Sequence, residues 1–196
     1  MAEMDVVEQH IAQRGIVSIH ALAYKLGIKY SENHVEGDVR AEIDSSGRPS
    51  VVVNSELPEP DRRRAAAQGV AHLLLHKDEV AKSGGSVSVY VTGEEQSKSA
   101  GEISPSQMKE AHDFADNLVM PESRIKEAAL DNRNHDVSLA REMGVSVESM
   151  QHRMHTLGVE NQPPEKVQSR GPKMSKLSEL WENFANMDLN SGRAGR

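Results

Sequence analysis

The sequence predicts an α+β fold in which a small antiparallel sheet packs on helices. Three observations lead there. Val39 to Ile43, Ser50 to Val53 and Val87 to Val91 are short and rich in β-branched residues, as strands are. Two longer stretches, Arg62 to His76 and Ser104 to Met120, have helical composition and spacing. Proline and glycine punctuate the joins between them.

Taken in order, Val6, Val7 and Ile11 mark a first short helix, and Ser18 is placed to cap a second, with Ile19, Leu22, Ala23 and Leu26 on one face and Gly27 closing it. Val39 to Ile43 and Ser50 to Val53 flank the turn Asp44-Ser45-Ser46-Gly47 and predict a hairpin. Pro58 and Pro60 stop the second strand, and Asp61 is expected to cap a long helix from Arg62 to His76. Ala65 to Ala67 favour that helix, whereas Gly69 inside it costs about 1 kcal/mol relative to alanine. A polar stretch leads to the strand Val87 to Val91, and Thr92 to Glu102 predicts a loop. Ser104 and Pro105 open the second long helix, with serine as cap and proline at the first helical position, and Pro121 ends it. Val137 to Met143 and Val147 to Leu157 form a helical pair about Gly144-Val145-Ser146. The expected organisation is one domain over residues 1–160, a linker over 161–173 and an amphipathic helix over 174–190.

Composition narrows the chemistry. No apolar run nears the roughly 18 residues that span a bilayer, and the acidic start MAEMDVVEQH lacks a signal-peptide layout, so a cytoplasmic protein with no membrane partner is expected. With no cysteine among 196 residues, disulfides and thiolate metal sites are excluded, and a metal would need His, Asp, Glu or water. A formal charge of -7 argues against broad nucleic-acid binding, which depends on neutralising phosphates.

The stretch with most chemical content is RRRAAAQGVAHLLLH, Arg62 to His76. It has the frame of an H-E-x-x-H zinc helix, where two histidines four apart grip the metal and the glutamate serves as general base. In this chain the frame holds Gln68, Gly69, Val70, Ala71 and His72.

Four segments together give the chain a resemblance to the ImmA/IrrE family of metallopeptidase-like proteins. They are VVVN at Val51 to Asn54, AHLLLH at Ala71 to His76, EAHDFADNLVMP at Glu110 to Pro121, and LAREMGVSVESMQHRMHTLGV at Leu139 to Val159. The resemblance implies a zincin-like fold and, in active members, zinc-assisted cleavage of helix-turn-helix repressors in stress responses and mobile-element induction. It places the first zinc histidine at Gln68, the catalytic glutamate at Gly69 and the second histidine at His72, which is retained. The third ligand, four residues before the asparagine of the family's A-N-x-F-A-A element, falls on Met108, because His112 stands at the asparagine. Methionine is a poor zinc ligand beside nitrogen and oxygen donors. A pseudopeptidase without cofactor is therefore expected, acting on a protein partner such as a helix-turn-helix repressor or an active relative.

Two alternatives stay open. His72, His76 and His112 have each moved one helical turn relative to the family's ligands, which could form a displaced three-histidine zinc site about 5.4 Å along both helices, with Asp113 and Asp116 to orient a ligand. Otherwise His76 and His112 are surface or hydrogen-bonded histidines. The pair Val137 to Leu157 resembles a helix-turn-helix DNA reader, with Arg153, His152 and His155 on its second helix, or else it caps the core. The run Arg62-Arg63-Arg64 opposes the helix dipole and reads as solvated arginines or as an anchor for an acidic partner. In the tail, Leu177, Leu180, Trp181, Phe184 and Met187 form an apolar stripe that must be covered, by this chain's own core, by a partner or by a second copy.

Overall fold

The long central helix α3, Glu59–Leu75, lies against a five-stranded sheet on one side and a second long helix on another, and everything else is arranged around it. The computed structural model describes residues 3–12, 18–91, 99–100, 103–131 and 135–161. The chain divides into two units, Met1–Gln162 and Pro163–Arg196, and all described residues belong to the first. The expected tail helix, with Leu177, Leu180, Trp181 and Phe184, lies outside the described residues.

Helices α1 (Glu3–Ile11) and α2 (Ile19–Lys25) open the chain, and Ser18 caps α2 by accepting from the Ala21 amide at 3.2 Å. Strands β1 (Lys29–Asn33), β2 (Val39–Ile43) and β3 (Pro49–Asn54) follow, and later β4 (Ser86–Val89) and the two-residue β5 (Ser99–Ala100) complete the order β1-β3-β2-β4-β5. The β2–β3 hairpin forms as expected, closed by Asp44, whose carboxylate accepts from the Ser46 and Arg48 amides. The sheet is mixed and not antiparallel throughout, because β1 runs parallel to β3. Its sequence KYSEN hides it: an edge strand with mostly solvated side chains carries no apolar alternation.

Helix α3 starts earlier than Asp61 would place it. Pro60 sits in the first turn, where no donor is needed, and Glu59 and Asp61 supply the negative charge that the helix N-terminus favours. A short α4 (Lys77–Lys82) follows it. Helix α5 (Pro105–Val119) begins with a full capping box, Ser104 accepting from the Gln107 amide while the Gln107 side chain accepts from the Ser104 amide at 3.0 Å. Pro121 ends α5 and also opens α6 (Glu122–Leu130), whose first amide is taken up by Asn117 Oδ1 at 3.2 Å. The polar sequences of α4 and α6 gave no periodic signal. Helices α7 (Asp136–Met143) and α8 (Val147–Thr156) form the expected pair, joined through Gly144 in the left-handed region at φ 64°.

The core lies between sheet and helices. Val39, Val51, Val53, Val87 and Val89 meet Ala65, Ala66 and Val70 of α3, while Leu118, Val119 and Met120 close the far side. Small residues on α3 let the helix axis come close to the sheet. Among the described residues no helix is long and apolar enough to cross a membrane.

Candidate functional site

From Arg64 to Leu73 every residue of α3 is buried, so the helix has no solvated face. Its buried polar residues line up instead with the capping His76 as one internal stripe at four-residue spacing: Arg64, Gln68, His72 and His76, exposed by only 7%, 1%, 0% and 3%. Helix α5 packs on α3 and supplies the stripe's partners.

At the N-terminal end, Arg64 is saturated. Its Nε meets Asp116 Oδ1 at 3.2 Å, its Nη2 lies 3.1 Å from His112 Nε2, and its Nη1 donates to the Val91 carbonyl at 3.4 Å. His112 Nε2 also lies 3.4 Å from Asp116 Oδ2. Burial pushes the Asp116 carboxyl up, but the His112 contact and the charges of Arg64 and Arg153 together outweigh it and hold the group below its ordinary value. Of the arginine run only Arg64 is buried, while Arg62 and Arg63 are half-buried and partnered. Arg63 donates to the Met143 carbonyl in α7, and Arg62 donates to the Ser55 carbonyl with Glu32 of β1 nearby at 3.6 Å. Each arginine ties α3 to a different element.

One turn along the stripe, Gln68 Nε2 points at Met108 Sδ, 3.7 Å away, so the positions of the family's first and third ligands touch each other. Further on, His72 Nδ1 and His76 Nδ1 are 3.3 Å apart, and His76 Nε2 is 3.3 Å from Glu110 Oε2. Burial, and secondarily the neighbouring His76, holds the His72 pKa down at about 4, so the ring is neutral at physiological pH. His72 Nε2 and Gln68 Oε1 are buried polar atoms with no hydrogen-bond partner among the described residues.

Gly69 does not face this stripe. A Cβ built there would lie 2.7 Å from Val39 Cγ2 and 2.9 Å from Val51 Cγ1, closer than carbon atoms tolerate. The position is a close contact between α3 and strands β2 and β3, with no room for a longer side chain. Sequence reasoning saw a lost general base, and it missed the packing because the neighbours come from strands far away in the chain.

The expected alternative ligands are not gathered. His72 and His76 pair with each other and with Glu110, while His112 faces Arg64 and Asp116. Asp116 does contact His112, but Asp113 pairs with Lys109. Among the described residues no group of three His, Cys, Asp or Glu side chains could hold a metal ion. In the helical pair, Arg153 is buried and turned inward, its Nε 3.4 Å from the Met120 carbonyl and its Nη2 3.4 Å from Asn117 Oδ1. His152 and His155 remain exposed, so α8 offers solvent no arginine. A separate concavity of about 300 Å³ lies between α2, β1 and the start of α3, walled by the stacked rings of His20 and Tyr30, 5.0 Å between centroids, and by Arg62.

A buried helix carrying a polar stripe, crossed by a second helix and backed by a sheet, is the arrangement that the resemblance implied. The peptidase M78 family model, described as the IrrE N-terminal-like domain, matches residues 23–155. The chain belongs to this family. The match spans β1 to α8, the whole frame of the candidate site. No curated protein matches the chain in sequence.

Membership raises the question of whether the residues present fit the zinc of an ImmA/IrrE peptidase. They do not. The positions concerned offer an amide oxygen, one imidazole and a thioether, with the amide nitrogen already directed at the thioether. A zinc site needs nitrogen, oxygen or thiolate donors of higher basicity, arranged tetrahedrally.

Proposed function

We propose that this ImmA/IrrE family member is non-catalytic and acts by binding another protein, a transcription regulator of a mobile element, phage or stress response. The observation that carries this reading is the closure at the catalytic frame: Gly69 lies against Val39 and Val51 where a general base would stand, and Gln68 rests on Met108 where two ligands would stand. Hydrolysis of a peptide needs a polarised carbonyl and an activated water, and neither Gln68 nor Met108 provides them. The reading requires no cofactor.

The binding part draws on the family fold and on the concavity beside α2 and β1, where Tyr30, His20 and Arg62 include residue types that anchor interfaces. The tail residues Leu177, Leu180, Trp181 and Phe184 are a further expected contact, to a partner or to a second copy.

The test combines metal content with partner handling. Purified full-length chain is dialysed against trace zinc, assayed for bound metal, and mixed with a helix-turn-helix repressor of the kind that active relatives cleave. Complex formation without cleavage and without stoichiometric zinc is the expected result. Cleavage, or about one zinc per chain that disappears in His72→Ala, overturns it; so does a repressor that neither binds nor is cut while an active relative is held.

A further inference from the structure

The two edges of the sheet differ. At one end β5 has only two residues, whereas at the other β1 has five in unbroken register with β3 and contains neither proline nor bulge. Shortness, proline and bulges are common ways of blunting an edge against pairing with another chain, and β1 uses none of them. We propose that β1 pairs antiparallel with β1 of a second copy of this chain, joining the two sheets across a two-fold axis at Ser31. The inference goes beyond the non-catalytic reading above and does not depend on it.

The ladder decides which backbone groups are free. The Asn33 carbonyl accepts from the Ser55 amide at 3.0 Å, on the β3 side. In a parallel strand both backbone groups of a residue point the same way and its neighbours point the other way, so Lys29, Ser31 and Asn33 bond β3. The amides and carbonyls of Tyr30 and Glu32 therefore face the open edge, where no strand pairs among the described residues. With the two-fold axis at Ser31, Tyr30 stands opposite Glu32 of the second copy, and each such pair exchanges both N–H···O bonds. All of these free groups are met at once, which is the self-complementarity that a two-fold interface requires.

Charge sets the direction. Lys25 and Lys29 stand before and at the start of β1, Glu32 and Glu36 near and past its end, and all are exposed. An antiparallel copy brings the basic end of each strand to the acidic end of the other, whereas a parallel copy sets like charges side by side. Beside the ladder, α2 carries His20 and Tyr24 one helical turn apart on its exposed face, and His20 stacks on Tyr30. Tyr24 is 83% exposed, and it adds aromatic surface for the second copy to cover.

Two measurements on the full-length chain test this. In sedimentation velocity the chain is expected to self-associate as its concentration rises. Glu32→Pro removes an outward amide and no bond to β3, and is expected to weaken that association about tenfold or more. Opposed residues that do not exchange hydrogen bonds have Cα atoms about 4.5 Å apart, within disulfide reach. The chain has no cysteine of its own, so Ser31→Cys is expected to form a disulfide-linked dimer on mild oxidation, well ahead of Ser138→Cys on the exposed face of α7. This second readout does not depend on the proline variant folding. A chain that stays monomeric, or Ser31→Cys that cross-links no faster than Ser138→Cys, overturns the β1 interface. So does a dimer that survives in folded Glu32→Pro, and its loss in Trp181→Ala would assign it to the tail stripe instead.

Discussion

One helix face carries two different kinds of polar site. At Arg64 every nitrogen of the guanidinium has an oxygen or ring nitrogen within reach, and the cluster with Asp116 and His112 joins α3, α5 and the chain just past β4 at Val91. One and two turns further on, Gln68 and His72 each keep a buried atom without a hydrogen-bond partner among the described residues. The burial is equal and the spacing is the same, so the difference lies in what α5 presents: a carboxylate opposite Arg64, a thioether opposite Gln68. The saturated half is scaffold. The unsaturated half holds the positions at which the family resemblance places zinc ligands, and there Gln68 Oε1 and His72 Nε2 have no hydrogen-bond partner among the described residues.

The sharpest way to break that contrast is to put the family's residue back. Gly69→Glu should destabilise by more than about 4 kcal/mol, from overpacking against Val39 and Val51 and from a buried unpaired carboxylate, and should fail to give soluble, cooperatively unfolding protein. Peptidase activity restored by Gln68→His, Gly69→Glu and Met108→Glu together, in a folded chain, would sink the closed-frame account.

Breaking the saturated half comes next. Arg64→Ala takes away the guanidinium 3.2 Å from buried Asp116 and should cost about 3–5 kcal/mol in denaturant unfolding. A loss below about 1 kcal/mol would show that the cluster is not the scaffold described here.

Acid should act on the unsaturated half first. His72 is held near pKa 4 in the folded chain, against about 6.5 unfolded, so between those values the unfolded chain binds a proton that the folded one refuses. Its contribution is present above pH about 6.5 and is lost as pH falls toward 4, on the order of 3 kcal/mol. His10, lowered by burial, adds a slope of the same sign. Asp116, lowered, adds an acid loss only below the ordinary carboxylate range. Thermal melts from pH 7 to 4.5 should fall, and His72→Gln should flatten the fall; an unchanged slope in that variant would remove His72 as its source.

The smallest effect is expected at Gln68. Gln68→Leu removes an acceptor that no group among the described residues satisfies and should change stability by less than about 1 kcal/mol, in contrast to Arg64→Ala on the same face. A cost comparable to Arg64→Ala would erase the distinction between the two halves.

Much of this could be read from residues in order. Ser18, Ser104 with Pro105, and Gly144 marked helix ends by local chemistry, and each acts at the place expected. The family frame was legible from Ala71 to His76 and Ala111 to Asp116, and the identities Gln68, Gly69 and Met108 were visible at once. Less legible were β1 and α6. The first is a strand because β3 pairs with it, and the second continues past a proline that looked only like a stop.

Sequence alone determined which atoms are available: no thiolate, no glutamate at position 69, one imidazole in the H-E-x-x-H frame. Tertiary structure decided what those atoms face. That Gly69 packs on two valines, that Arg153 turns inward to the Met120 carbonyl, and that His112 joins Arg64 in place of His72 all depend on contacts between residues distant in the chain. Periodicity fixes the face of a helix on which a side chain sits, but the neighbour across that face is set by packing of whole elements, and there the difference between a ligand, a scaffold residue and a lone acceptor arises.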